Sequence, residues 1–373
     1  MWDLHLLNLP AAGAAATGVF RIHHSLGDGA SLMSLLLACT RQMSDPTRPP
    51  TVPTKRRTSS SGRSSRGMWR WVTGVWWVLL MVWNTLVDVA MFLATALFLR
   101  DTETPVKGPP GGEKTPRRFV HRTVSLDDMK TVKNGLNMTI NDVALAMTQA
   151  GLSRYLSRRY GQMKGVEEGA TERRNNLPKN IRLRSTLLVN LRPSAGIQAL
   201  ADMMEKETEA KWGNWIGFAL LPFTIAFRDD PLDYAREAKS TIDRKKHSLE
   251  AFYTFSISEF VLKLFGIKAA STLSHRVITH TTMCFSNLVG PLEEIGFYGH
   301  PIAYLAPSSY GQPHALMINF QSYVNKMTIV LSVDEATIPD PHQLLDEIAE
   351  SLNLIKDAVQ AKGLIKDDSV AQH

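Results

Sequence analysis

The sequence predicts a layered α/β fold. The chain has 373 residues, of which 44% are hydrophobic, and this is enough for two lobes that each bury a core. Short alternating or apolar segments typical of strands are interspersed with longer segments of helical periodicity. Strands mixed with helices in this order favour layers of sheet and helix over an all-helical bundle.

The N-terminal residues 1–43 are predicted to hold two strands and one helix. Trp2–Leu7 alternates like a strand, Gly18–Ile22 is an apolar strand, and Ala30–Met43 has a helical pattern. A stable sheet usually needs about four to six strands. We therefore expect residues 1–43 to be the remnant of a larger N-terminal lobe whose first part is missing.

Residues 44–68 are predicted to form a flexible linker. Pro, Ser, Thr and Arg dominate this stretch, which has no apolar periodicity. The linker is strongly basic, as Lys55, Arg56 and Arg57 illustrate, and it directly precedes an apolar segment. A solvated basic tether is favoured over a nuclear-targeting signal, and the position of this tether indicates contact with anionic lipid.

Residues 69–100 are predicted to form an apolar, membrane-associated helix. The segment is longer than the roughly 20 residues needed to cross a bilayer, and tryptophans cluster at its start, as in an interfacial belt. A complete crossing would place the early histidines and the rest of the chain on opposite sides of the membrane. We expect a helix that lies in the interface or dips in and returns, with Asn84 and Asp88 toward water or protein. A buried connecting helix in a soluble protein is the alternative.

The rest of the chain is predicted to form a loop at residues 101–116 and a C-terminal lobe at residues 117–373. Ser125 is expected to cap a helix that begins at Leu126. The predicted strands are Arg118–Val124, Leu187–Leu191, Trp215–Leu221, a strand ending at Cys284–Ser286, Leu316–Ser322 and Met327–Val333. The other predicted helices are Thr139–Arg158, Pro231–Glu250, Phe255–Ser274 and Pro341–Ala358.

The stretch from His23 to Gly29, with the sequence HHSLGDG, is the most informative motif. It places an imidazole and a carboxylate four residues apart where the second strand ends. A histidine on such a turn can act as a general base, and the carboxylate of Asp28 can hold the loop in one geometry. This spacing alone is common. Metal binding is disfavoured, because adjacent residues such as His23 and His24 would point to opposite sides of a strand.

Several motifs together resemble one known family. HHSLGDG is similar to the HHxxxDG signature of the wax ester synthase/diacylglycerol acyltransferase family, a branch of the CoA-dependent acyltransferases. Asn141-Asp142 resembles its ND motif, and Phe285–Pro291 is similar to its SNxxGP segment. Segments 298–302, 310–313 and 321–323 follow in the order seen in plant members. The resemblance runs from Trp2 to about Val359 and is that of a plant-type O-acyltransferase truncated at its N-terminus.

This resemblance implies a two-lobed, chloramphenicol acetyltransferase-like fold with mixed sheets flanked by helices and an incomplete first lobe. It also implies transfer of an acyl group from acyl-CoA to a long-chain fatty alcohol or diacylglycerol, without a covalent enzyme intermediate. His24 would be the general base and Asp28 its structural support, while His23 and Gly29 complete the motif.

The same resemblance suggests roles for residues in the C-terminal lobe. Asn141 and Asp142 either orient the site or cap their helix, and Ser286-Asn287 is a candidate oxyanion-binding turn. The basic group at Arg173, Arg174, Lys179, Arg182 and Arg184 either meets CoA phosphates or belongs to a solvated loop. Acyl-CoA is expected as a co-substrate, with no permanently bound cofactor and no metal.

The net charge indicates which partners the chain can bind, and the cysteine content indicates its compartment. A net charge of +7 suits anionic lipid or CoA phosphates, and no nucleic-acid recognition motif accompanies it. Two cysteines give no disulfide framework, which favours a reducing compartment. We expect an endoplasmic reticulum membrane protein with a cytosolic active site, the plasma membrane being the alternative location.

Two alternative functions stay open. One is a soluble acyltransferase for a small polar acceptor, and the other is an inactive, lipid-associated or partner-binding remnant. The oligomeric state is not predicted.

Overall fold

The computed structural model describes residues 1–9, 13–53, 67–165, 175–191 and 215–364. Most of the basic linker, residues 54–66, and the pair Arg173 and Arg174 lie outside the described residues. The strands are β1 (Trp2–Leu7), β2 (Thr17–Ile22), β3 (Arg41–Gln42), β4 (Arg117–Ser125), β5 (Leu183–Asn190), β6 (Ile216–Phe223), β7 (Met283–Leu288), β8 (Ile295–Phe297), β9 (His300–Pro301), β10 (Leu316–Tyr323) and β11 (Lys326–Asp334). The helices are α1 (Gly29–Ala38), α2 (Gly67–Leu97), α3 (Leu126–Gly135), α4 (Ile140–Met163), α5 (Pro231–Lys246), α6 (Glu250–His280) and α7 (Pro341–Ala361).

A mixed six-stranded sheet organises the C-terminal lobe, in the order β4-β11-β10-β7-β5-β6. β7 runs parallel to both β10 and β5, and the remaining pairs are antiparallel. Helices α3, α4, α5 and α7 cover one face, where the main hydrophobic core includes Leu145, Phe285, Ile318, Leu331 and Leu352. The predicted α/β architecture is therefore confirmed.

The opposite face of the sheet is covered near β6 by α2 and α6. Leu220 of β6 is buried in a small cluster with Phe92 and Ala96 of α2 and Val277 of α6. Thr85, Asp88 and Thr95 are also buried and share the packed side of α2 with Phe92, at helical spacing. The helix predicted for the apolar segment is confirmed, and one of its sides packs on the lobe.

The N-terminal residues form a β1-β2 hairpin followed by α1. The predicted helix Ala30–Met43 is too long, since α1 ends at Ala38 and Arg41-Gln42 instead pair with Ile295-Gly296 of β8. This pairing joins the N-terminal segment to the C-terminal lobe. Sequence periodicity could not reveal it, because the partner strand lies far along the chain.

Two other predictions of local structure need correction. Ser286 does not end its strand, because β7 continues to Leu288 while paired with β10. Arg184 is not part of a solvated loop, since it is buried in β5 with its Nε 2.6 Å from Asp101 Oδ1. A buried guanidinium requires such a partner, which here comes from the loop that follows α2.

Candidate active site

The two histidines of the motif lie in different surroundings. β2 ends at Ile22, and His23 then caps a short 3-10 turn formed by His24–Leu26. The Nδ1 atom of His23 accepts a hydrogen bond from the Ser25 amide and lies 2.7 Å from the Ser25 hydroxyl. His24 is exposed on the turn itself. The turn therefore uses the His23 ring for its own geometry and presents His24 at the surface.

Asp28 fixes this turn to the rest of the molecule. Its side chain is only 3% exposed, and Oδ1 caps α1 by accepting a hydrogen bond from the Ser31 amide at 3.0 Å. Oδ2 accepts a hydrogen bond from the Trp215 amide at 3.3 Å, directly before β6. One carboxylate thus ties the histidine turn to both α1 and the large sheet, which is the geometry that a supporting residue needs.

Gly29 brings the motif against the end of β7. A Cβ built on Gly29 would lie 3.2 Å from Leu288 Cδ2, so the loop and this strand are in close contact. Gly290, two residues after Leu288, lies even closer to β10, since a Cβ there would be 2.1 Å from the Ser322 carbonyl oxygen. The HHSLGDG loop and the SNLVGP segment, which are far apart in sequence, therefore meet in the structure.

Alternation along β7 separates the two predicted residues of the candidate turn. Asn287 shares a face with the core residue Phe285, and its Nδ2 donates a hydrogen bond to Asn141 Oδ1 at 2.5 Å. Ser286 shares the opposite face with Leu288, which is the face contacted by Gly29. Ser286 therefore faces the side of the histidine loop, whereas Asn287 and Asn141 support the strand from behind.

Asp142 has a clear capping role at the start of α4. Its carboxylate accepts a hydrogen bond from the Thr139 amide at 2.6 Å, while the Thr139 hydroxyl accepts one from the Asp142 amide. This reciprocal arrangement is a capping box. The side chain is fully buried, with Lys246 Nζ 3.9 Å from its Oδ1. Two roles were left open for Asn141 and Asp142, capping the helix or orienting the site. Asp142 caps α4, whereas Asn141 contacts Asn287 of β7.

The structure also brings polar residues to this face that sequence reasoning missed. Asn319 of β10 is in register with Ser286, and Gln321 is in register with Leu288. Residues in register on neighbouring strands present their side chains on the same face, so these two buried amides lie on the loop side of the sheet. The signal was available, since the predicted strand Leu316–Ser322 alternates apolar residues with Asn319 and Gln321.

Among the residues that the structure describes, no group of three or more His, Cys, Asp or Glu side chains is placed to hold a metal ion. Of the cysteines, Cys39 is exposed and Cys284 is buried in β7. What the site does offer is an exposed imidazole on a fixed turn, beside a sheet face that carries hydroxyl and amide groups.

An exposed imidazole on a fixed turn, beside a mixed sheet flanked by helices, is a site that suits acyl transfer, and comparison with known proteins gives the family. The model of the wax ester synthase/diacylglycerol acyltransferase catalytic domain matches residues 1–144, and that of the family's C-terminal domain matches residues 212–356. The chain belongs to the wax ester synthase/diacylglycerol acyltransferase family and is an acyltransferase.

Individual relatives agree with this assignment. Wax ester synthase/diacylglycerol acyltransferase 6 of Arabidopsis thaliana is 52% identical over 373 residues, covering 97% of this chain and 72% of that protein. Wax ester synthase/diacylglycerol acyltransferase 11 of the same plant is 50% identical, covering 98% of this chain and 74% of that protein. The structure of the wax ester synthase/diacylglycerol acyltransferase from Marinobacter aquaeolei VT8 superposes with a TM-score of 0.53 at 17% identity, over 96% of this chain and 72% of that one. This last likeness confirms the two-lobed fold.

Proposed function

We propose that this acyltransferase moves a long-chain acyl group from acyl-CoA to a fatty alcohol or diacylglycerol, giving wax ester or triacylglycerol. The observation that carries the proposal is the fixed turn, on which His24 is exposed while the buried Asp28 carboxylate joins the turn to the large sheet. The plant relatives, named for both products, suggest the substrates. An imidazole held in this way suits removal of a proton from an alcohol.

The reaction requires one base and no covalent enzyme intermediate. His24 takes the hydroxyl proton as the alcohol oxygen bonds to the thioester carbonyl carbon, and a tetrahedral oxyanion forms. The carbon–sulfur bond then breaks, and the CoA thiolate leaves with the proton carried by His24. The products are an ester and free CoA, so atoms and charge balance. Acyl-CoA is consumed as a co-substrate.

The oxyanion needs hydrogen-bond donors fixed at its position. We assign Ser286 as the candidate donor, because it shares the loop-facing side of β7 with Leu288. Asn287 Nδ2 donates its hydrogen bond to Asn141, so these two residues position the strand. The buried Asn287 Oδ1 has no hydrogen-bond partner within the described part of the chain.

We further propose that the enzyme works on a membrane, with the endoplasmic reticulum as its location and the active site on the cytosolic side. Thr73–Leu97 of α2 is long and apolar enough to cross a bilayer. However, α2 packs on the lobe through Thr85, Asp88 and Phe92, while its other side exposes large residues such as Leu79 and Trp83. This distribution supports a helix that lies in the interface over one that spans the bilayer alone.

The test is a pair of matched histidine substitutions. His24→Ala should lower wax ester formation from palmitoyl-CoA and hexadecanol by about 10²–10⁴-fold, the usual contribution of a general base. His23→Ala removes the neighbouring ring, which is engaged with Ser25, and should keep more activity than His24→Ala at equal folded protein. Unchanged turnover in His24→Ala would eliminate this histidine as the base.

A further inference from the structure

Helix α6 is folded into a hairpin. Gly266 breaks the helix with φ 77° and ψ 179°, a backbone conformation that side chains with a Cβ rarely adopt. Ile257 and Leu273, on either side of this break, pack against the same small cluster around Leu220 and Val277. In one straight helix these two residues would be about 24 Å apart. The two limbs of α6 therefore return to one place.

The base of the hairpin is fixed to the lobe. On the first limb, Glu250 Oε1 accepts a hydrogen bond from the Leu220 amide at 2.9 Å. On the second limb, Arg276 Nη2 donates a hydrogen bond to the Leu97 carbonyl oxygen at 2.8 Å. Both limbs are thus anchored, one on β6 and the other on the end of α2, and the apex extends away from these anchors.

The apex itself is apolar and exposed. The exposed fractions of Leu264, Phe265 and Ile267 are 61%, 67% and 71%. Lys263 and Lys268 flank this group directly. Soluble monomers rarely expose contiguous apolar groups of this size unless these bind a partner or a membrane. Long lysine side chains can reach back to the headgroups while neighbouring apolar residues enter the acyl region.

We propose that the α6 apex, defined as residues 263–268, inserts into a lipid bilayer as a second membrane contact beside α2. The inference rests on the proposed membrane location and adds an element to it. The apex is the turn of a hairpin, and its Lys268 complements anionic headgroups, while Lys263 Nζ lies 2.8 Å from Glu259 Oε1. Its second limb is anchored on α2, the helix already proposed to lie in the interface.

Insertion of the apex would bring the catalytic turn near the membrane surface. The Phe255 ring, on the first limb, stacks on the Trp215 ring with centroids 6.0 Å apart. The Trp215 amide donates to Asp28, which holds the histidine turn. The first limb of the hairpin therefore contacts the residue whose amide supports the active site, so the apex and the histidine turn are connected through one helix.

The experiment measures the depth of a fluorescent probe at three positions of the full chain. In a Cys39→Ser background, Phe265→Cys, Trp83→Cys and Glu350→Cys place the probe on the apex, on α2 and on α7. Burial raises the pKa of the remaining Cys284 thiol to about 11, so it stays protonated and resists labelling at neutral pH. The probe is nitrobenzoxadiazole, and the vesicles contain phosphatidylcholine, phosphatidylserine and lipids that carry a nitroxide on the acyl chain.

We expect vesicles to raise the fluorescence at position 265 about twofold or more and the nitroxide to quench it, with little change at 350. Quenching at 83 without quenching at 265 would overturn the apex proposal and leave the contact through α2 intact. A blue-shifted signal at 265 without vesicles would also overturn it, because a second copy of the chain would then cover the apex. The apex proposal would also be overturned if the parent chain did not bind vesicles.

A second variant separates this inference from the proposed reaction. Phe265→Ser combined with Ile267→Ser should lower vesicle binding about tenfold or more and leave acyl transfer in detergent unchanged. Wild-type binding by this variant would refute insertion of the apex. Failure of the proposed reaction would instead show as no ester formation in detergent by the parent chain, whatever the vesicle result.

Discussion

At the scale of single residues, Asp28 shows why the motif requires a carboxylate. Its two oxygens accept hydrogen bonds from two backbone N–H groups, of Ser31 and Trp215. An asparagine has one oxygen acceptor, so its amide nitrogen would face one of these two donors. An alanine would leave both donors without this partner. The chemistry of the contacts therefore distinguishes aspartate from its closest substitute.

We predict that Asp28→Asn lowers kcat/KM about 10–100-fold, as the loss of a partner that supports a functional residue usually does. Asp28→Ala should also lower the free energy of unfolding by about 1 kcal/mol, the usual effect of losing a helix cap. Steady-state kinetics and urea unfolding measure the two effects. Asp357→Asn, at an exposed position of α7, is the matched control. Full activity of Asp28→Asn would contradict the role assigned to this carboxylate.

Part of the site is contiguous in sequence and could be predicted, whereas the rest depends on strand register. His24, Asp28 and Gly29 lie in one short motif, so a single loop carries them. Asn319 and Gln321 lie on the same face of the sheet as Ser286. This placement depends on the β7–β10 pairing, which a single sequence does not specify. The same pairing decides that Ser286, and not Asn287, faces the histidine loop.

At the scale of elements, the segments with local signals were predicted well. The Ser125 cap of α3 is confirmed, with the Ser125 hydroxyl accepting from the Asp128 amide. The strands predicted at Leu316–Ser322 and Met327–Val333 are also confirmed, and they form a hairpin that turns at Val324-Asn325. In both cases the determining residues are neighbours in sequence. The end of α1 and the fold of α6 were not predicted, because contacts with remote strands decide them. A single glycine inside a helical pattern gave no sign that Gly266 reverses the chain.

Helix α2 illustrates a similar limit. Its apolar composition identified it, yet its packed side depends on charges from another helix. Asp88 is buried, with its Oδ1 2.6 Å from Arg244 Nη2 and 3.0 Å from Lys245 Nζ, both at the end of α5. Lys245 also contacts the buried carboxylate of Glu250, at 2.6 Å. A buried carboxylate on α2 therefore matches the cations of α5.

We predict that Asp88→Asn lowers the free energy of unfolding by about 3–5 kcal/mol, because it removes one partner of a buried ion pair and leaves the cations less compensated. Glu335→Gln is the matched control: it breaks the exposed pair with Arg118 and should cost less than about 1 kcal/mol. Urea unfolding in detergent measures both. Equal losses in the two variants would show that α2 is not held to the lobe by Asp88.

At the scale of the whole molecule, buried histidines make stability depend on pH. Burial lowers the pKa of His314 from 6.5 to about 3, and its Nε2 lies 2.8 Å from the Thr281 hydroxyl. Desolvation also lowers the pKa of the buried His280. In the unfolded chain these rings take up protons near their ordinary pKa of 6.5. Below that pH the unfolded state therefore binds more protons than the folded one, and protonation favours unfolding.

We predict that the free energy of unfolding is steady between about pH 7 and 8 and falls as the pH drops below about 6.5, with His314 contributing up to about 1.4 kcal/mol per pH unit. Carboxylates with lowered pKa values, such as Asp127 and Asp230, add their own loss only nearer pH 4, about their ordinary pKa. Burial raises the pKa values of Glu237 and Glu250, and their protonation opposes the histidine effect as the pH falls, so the slope is compared between variants. His314→Gln should flatten the slope in urea unfolding from about pH 6.5 to 5. His342→Gln, at an exposed position, should leave it unchanged. A slope that persists in His314→Gln would mean that other groups set the acid sensitivity of the fold.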